Sequence, residues 1–116
     1  MAMGFRKIEA IIRSEKLEEV RVALDKEGFV GMTVSEVKGR GSQGGVLLEW
    51  RAGDYRVEFL PKLKIELVVD DFDLQRALKA IEESARTGIT GDGKIFVYTV
   101  DNIVRIRTGE RGGKAL

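Results

Sequence analysis

Residues 55–69, YRVEFLPKLKIELVV, carry an apolar side chain at every second position: Val57, Phe59, Pro61, Leu63, Ile65, Leu67 and Val69. Arg56, Glu58, Lys62, Lys64 and Glu66 lie between them. A two-residue period over this length predicts one long strand, or two collinear ones, with one apolar and one polar face. Pro61 has no N–H to offer a ladder, so it belongs at an edge, a bulge or the junction.

The flanking segments supply the rest of the fold. Asp70 and Asp71 suit a helix N-terminus, and Leu74, Ala77, Leu78, Ile81 and Ala85 mark one face of an amphipathic helix running to about Arg86. A glycine-rich loop follows, then a strand at Ile95 to Val100 and a short strand around Val104 to Ile106. On the N-terminal side, Ile8, Ala10 and Ile12 alternate with Lys7 and Glu9, which predicts a half-buried strand over Phe5 to Ile12. Ser14 is placed to N-cap a helix with the stripe Leu17, Val20 and Leu24 beside Ala23, and Gly28 to stop it. Val30, Met32 and Val34 resume the two-residue period through Glu36. The order βαββαβ predicts a ferredoxin-like α+β sandwich of one antiparallel sheet and two helices. A fold does not fix a function, so particular residues must.

The chain's 116 residues make one domain, 1–116. An apolar fraction of 43% beside 34% charged residues is that of a soluble globular protein, and no apolar run is long enough to span a bilayer. No secretory signal pattern precedes the first strand, and Met1-Ala2-Met3-Gly4 reads as a start segment, so a cytoplasmic location is expected. With neither Cys nor His, thiolate and imidazole chemistry and most zinc or iron sites are excluded. A net charge of +1, with aromatics not interleaved among basic residues, argues against nucleic acid as a partner.

Residues 86–94, RTGITGDGK, place Gly88, Gly91 and Gly93 just before Lys94 and a strand. Such a loop can turn its amides on an anion, and the lysine adds a mobile charge, so the segment reads as a phosphate cradle. A solvated turn closing the preceding helix through a glycine explains the same residues equally well. Gly88 to Lys94 formally fits G-x-x-x-x-G-K, but Ile95 stands where a P-loop needs Ser or Thr, and a strand follows instead of a helix. Gly39 to Gly44 spells G-x-G-x-x-G, again without the helix of a dinucleotide site, and reads as a long flexible loop. Arg105 and Arg107, alternating on the expected last strand, would share a face suited to phosphate or to surface ion pairs.

ARTGITGDGKIFV at 85–97 and VRIRTGERG at 104–112 resemble the C-terminal signature of PII signal-transduction proteins, the nitrogen-status sensors. Residues 7–13 (KIEAIIR), 31–37 (GMTVSEV) and 55–69 are similar to that family as well, without gaps. The resemblance implies a homotrimer that binds ATP or ADP between subunits and reports through a mobile T-loop, here about residues 39–58. It implies nucleotide contacts from Gly31, Thr33, Gly39, Gly41, Ser42, Val68, Gly91, Asp92, Gly93 and Lys94, with Arg105 and Arg107 reaching the phosphates from a neighbouring subunit. It implies Mg²⁺ held by Gln43 together with ATP phosphates and 2-oxoglutarate, an oxygen-rich arrangement that suits the ion. The 2-oxoglutarate contacts implied are Gln43, Lys62, Gly41 and Gly91. Lys62 would pair with a carboxylate of the acid, although as a bare residue it reads as a solvated strand-face lysine.

The likeness also implies partners met through the T-loop, an ammonium transporter or enzymes of nitrogen metabolism, which would bring the protein to a membrane surface. Arg51 matches the arginine that plugs a transporter pore, and Tyr55 the tyrosine uridylylated in many bacteria; without the family both are residues of a solvated loop. Ser42 stands where many members carry arginine and Ile89 where many carry lysine or glutamate, leaving phosphate charge less compensated. Leu48 and Glu49 depart from the usual loop residues, Glu49 replacing an arginine that meets N-acetylglutamate kinase, and Gly53 replaces a serine phosphorylated in some members. Two other readings remain: a weak ATPase using Asp92 or Asp54, and a PII-like paralogue sensing another small molecule.

Overall fold

The computed structural model describes residues 4–41 and 59–116. Four strands, β1 (Phe5–Ile12), β2 (Thr33–Gly39), β3 (Leu60–Asp70) and β4 (Gly93–Val100), form one sheet in the order β2-β3-β1-β4. Each neighbouring pair is antiparallel. Two helices, α1 (Leu17–Lys26) and α2 (Leu74–Ala85), link β1 to β2 and β3 to β4. This is the ferredoxin-like arrangement that the periodicity predicts.

The alternation in β1 and β3 determines which face is covered. Ile8, Ala10 and Ile12 pair in register with Leu67, Ile65 and Leu63, and this row meets Val20, Leu24, Ala77 and Ile81 from the helices. Burying each large aliphatic side chain of this kind favours folding by roughly 1.5–3 kcal/mol. The opposite face bears Lys7, Glu9 and Ile11 beside Val68, Glu66 and Lys64, with no helix against it among the described residues. Pro61 lies in β3 before Leu63, where pairing with β1 begins, so its missing N–H falls where the strand has a neighbour on one side only.

Several local expectations change. Ser14 does not cap a helix: Arg13 is extended, Ser14–Lys16 form a 3-10 turn, and α1 starts at Leu17. Asp70 does cap the second helical segment, its carboxylate accepting from the Phe72 amide at 3.0 Å. β2 lies later than the apolar period suggests, at Thr33–Gly39, and Val30 is 73% exposed ahead of it. The strand expected around Val104 to Ile106 is a single bridge between Val104 and Arg111. A tight turn takes its place, with the Gly109 amide donating to the Arg105 carbonyl at 2.7 Å and the Arg105 amide to the Glu110 carbonyl at 2.9 Å. Among the described residues no helix is long and apolar enough to cross a membrane.

Candidate functional site

α2 stops at Ala85 because Arg86 is extended, with φ −71° and ψ 131°. The glycines beyond it do not close the helix. The Gly88 amide instead donates to the Asp92 carboxylate at 2.8 Å, as does the Thr87 amide at 2.8 Å. The Thr87 hydroxyl donates to the other oxygen of Asp92 and accepts from the Ile89 amide at 3.1 Å. One carboxylate thus gathers residues 87–92 into a closed loop, and the helix ends without the glycine closure that a simple helix-ending turn would use.

Arg13, the residue after β1, braces this loop from behind. Its Nε donates to Asp92 at 2.9 Å, and its Nη2 donates to the carbonyls of Thr90 at 2.8 Å and Ile89 at 3.3 Å. The Thr87 hydroxyl first, then Arg13 and the two amides, hold the Asp92 carboxyl well below the usual carboxylate range. A carboxylate so committed is a poor general base, which weighs against Asp92 as a catalytic group.

Gly93 explains why glycine is needed at the start of β4. Its φ is 103°, and a Cβ there would overlap the Ile11 carbonyl oxygen, so only glycine lets the loop enter the sheet this close to β1. Ile12 is its register partner, and the next pair, Ile11 and Lys94, puts Lys94 on the sheet's open face. On β3 the Lys62 ammonium donates to the Gly91 carbonyl. Neither Lys62 nor Lys94 has a carboxylate partner among the described residues. A cleft of about 330 Å³ opens behind Lys94, between the start of β4 and the end of α2, with Ile81 and Ala85 on one wall.

The remaining predicted residues fall into three groups. Gly39 ends β2 opposite Leu60, at the same end of the sheet as Lys62 and the glycine loop, and Gly41 follows it. Thr33 and Val68 share the open face toward the other end, Thr33 opposite Glu66 and Val68 opposite Lys7, with Gly31 just before β2. Arg105 and Arg107 follow the far end of β4, which at about 3.3 Å per residue is more than 20 Å from the glycine loop. They do not alternate on a strand: Arg105 faces Glu110 at 3.7 Å, and Arg107 lies in the turn. Among the described residues no ion pair or hydrogen bond joins either arginine to the glycine loop. Ser42, Gln43, Arg51 and Tyr55, with Leu48, Glu49, Gly53 and Asp54, lie outside the described residues.

Arg13 and Thr87 are the organising residues that pattern reading missed. The available signal was a cation one residue beyond β1, beside the position where a glycine-rich loop must enter the sheet.

A glycine loop set by one carboxylate on a ferredoxin-like sheet defines a class of small α+β domain. The model of "Nitrogen regulatory protein P-II" matches residues 5–110. The chain is 59% identical over 111 residues to nitrogen regulatory protein P-II 1 of Methanothermobacter thermautotrophicus, covering 96% of each. It is 54% identical to nitrogen regulatory protein P-II of Rhodospirillum rubrum, covering 96% of this chain and 99% of the relative. A crystal structure of Arabidopsis thaliana PII bound to citrate superposes with a TM-score of 0.80 at 41% identity, covering 97% of this chain and 92% of that one. The chain belongs to the nitrogen regulatory protein P-II family, whose members named here are regulators.

Proposed function

We propose that this protein is a homotrimeric, non-enzymatic regulator of nitrogen metabolism that binds ATP or ADP in clefts between subunits. The observation that carries the reading is the loop at 86–94, fixed in shape by Asp92 and Arg13 and flanked by Lys62 and Lys94, which have no carboxylate partner among the described residues. Ammonium groups that lack a carboxylate partner among the described residues, beside a loop rich in glycine, suit phosphate and carboxylate ligands. Lys94 and the amides of Gly91 to Gly93 take the phosphates from one subunit, and Arg105 and Arg107 take them from the next. Thr33, Gly31 and Val68 hold the base side, while Gly39, Gly41 and Ser42 border the nucleotide at the root of the T-loop.

2-Oxoglutarate is the proposed effector, with Lys62 on its distal carboxylate and Gly41, Gln43 and Gly91 around it. Among the described residues no group of three or more His, Cys, Asp or Glu could hold a metal. That suits Mg²⁺ arriving with ATP phosphates and needing only the Gln43 amide oxygen from the protein, since this ion is commonly bound through substrate phosphates and few side chains. The acid then completes a site that exists only with Mg-ATP, so each ligand raises the affinity of the other equally. The output is the arm at 39–58: Arg51 meets an ammonium transporter, and Tyr55 is open to uridylylation.

Titration calorimetry with ATP, ADP and 2-oxoglutarate, with and without Mg²⁺, tests this reading. Binding of 2-oxoglutarate only to Mg-ATP-loaded protein is expected; equal binding without nucleotide overturns the coupled site. A second reading, sensing of another carboxylic acid, draws on the citrate bound by the Arabidopsis relative. Citrate in the same titration decides it.

A further inference from the structure

Resting on the proposal that loop 86–94 binds nucleotide phosphate, we infer that Arg13 is a positioning residue which, through Asp92, sets the loop's shape without itself touching the nucleotide. The two cations beside Gly91 are used in opposite ways. Arg13 spends its donors inward, Nε on Asp92 and Nη2 on the carbonyls of Thr90 and Ile89, and its side chain is only 21% exposed. Its charge is neutralised by the carboxylate it holds. Lys62 has no such partner among the described residues and ends on a backbone carbonyl.

Among the described residues nothing apolar anchors the loop in place of this brace. Ile89, its one large apolar side chain, is 68% exposed, and residues 86–91 are all exposed. The Arg13 guanidinium lies under Gly91, where an added Cβ would come within 3.2 Å of Nη2. The fork therefore fixes both the turn at 87–88, through Asp92, and the carbonyls of 89 and 90 directly. These are the ties that orient the Gly91 to Gly93 amides before a ligand arrives. Orientation set in advance strengthens binding by reducing the ordering that the ligand must impose.

The test uses Arg13→Lys, which keeps the charge but replaces the planar fork, whose Nε and Nη2 reach Asp92 and the carbonyls separately, with a single nitrogen, and Asp92→Asn, which keeps the shape and loses the charge. Circular dichroism checks folding. In ligand-free protein the amides of Thr87 and Gly88 should exchange hydrogen faster in both variants. ATP affinity should fall about tenfold or more in each, the scale of a lost charge-assisted bond. The double variant should lose little beyond the worse single one, because both substitutions cut the same brace. Unchanged ATP affinity overturns the inference, as do additive losses, which would put Arg13 on the nucleotide independently of Asp92. If wild-type protein does not bind ATP, the phosphate reading fails instead. The exchange rates still judge the brace in that case, and unaccelerated Thr87 and Gly88 amides in Arg13→Lys refute it.

Discussion

The Lys62 ammonium donates to the Gly91 carbonyl, tying β3 to a loop 29 residues further along the chain. β3 begins at Leu60, directly after the arm at 39–58, so this contact joins the root of the proposed output loop to the proposed phosphate loop. A carboxylate ligand on Lys62 would compete with or reorient that link, giving ligand binding a mechanical route to the arm. Lys62→Ala should therefore abolish measurable 2-oxoglutarate binding to Mg-ATP-loaded protein while changing ADP affinity by less than about threefold, or ~0.7 kcal/mol. Calorimetry on the folded variant checks both halves, and full retention of 2-oxoglutarate binding would remove Lys62 from the site.

Glycine substitutions should separate loop geometry from loop space. At Gly93 a Cβ would meet the Ile11 carbonyl oxygen at a φ of 103°, so Gly93→Ala must displace β4 from β1 and should cost at least about 3 kcal/mol. Gly88 has a positive φ of 86° but nothing within 4 Å of an added Cβ, so Gly88→Ala should cost only about 1–2 kcal/mol. Equal denaturant midpoints for the two variants would contradict the close approach at Gly93.

Most of this architecture can be read from the residues themselves, because strand and helix periods report burial directly. β1 falls on Phe5–Ile12 as its alternation requires, and the α2 stripe of Ala77, Ile81 and Ala85 is buried as its spacing requires. What escapes the pattern is set by contacts distant in sequence. Arg13 and Asp92 are 79 residues apart, and no local rule pairs them. The turn at 105–110 mimics a strand in the alternation of Val104, Arg105, Ile106 and Arg107, but its backbone bonds close on Glu110 and Gly109 instead of a neighbouring strand. Two charged side chains in alternation are thus weak evidence for a shared face.

Core truncations should show where stability resides. Leu24 and Ile81 are fully buried between the helices and the sheet, so Leu24→Ala or Ile81→Ala should destabilise by roughly 2–5 kcal/mol through lost burial and the cavity left behind. Val22, on the outer side of α1 and 37% exposed, should tolerate alanine within about 0.5 kcal/mol. Chemical denaturation at fixed protein concentration measures the contrast.

The Asp92 clamp should survive acid that protonates ordinary carboxylates. Its folded-state value lies below the unfolded aspartate value of about 3.9, held there by the Thr87 hydroxyl, Arg13 and the two amides. The contribution to loop stability is therefore complete above the unfolded value and is lost as pH falls through the depressed folded one. A carboxyl-carbon NMR titration should find Asp92 still ionised near pH 3, where ordinary aspartates are mostly protonated. An Asp92 midpoint near 4 would show that the clamp is not formed in solution.

Arg105 and Arg107 supply the last prediction, because β4 lies between them and Lys94 in the chain and no contact among the described residues joins them to the glycine loop. If the arginines act on a neighbour's loop, the interface is head-to-tail, with each copy giving one half-site and receiving the other. Arg107→Ala should weaken ATP about 10- to 100-fold, the effect of one or two charge-assisted bonds. Lys94→Ala should weaken it comparably from the other side. A co-refolded equal mixture of Lys94→Ala chains and Arg105→Ala/Arg107→Ala chains should then regain wild-type sites at about a quarter of the interfaces, where an intact loop meets intact arginines. Calorimetry would resolve these as a minority of tight sites that neither parent shows. Their absence from a mixture proven by mass spectrometry to contain mixed trimers would place both cations in one chain's site, or the arginines in none.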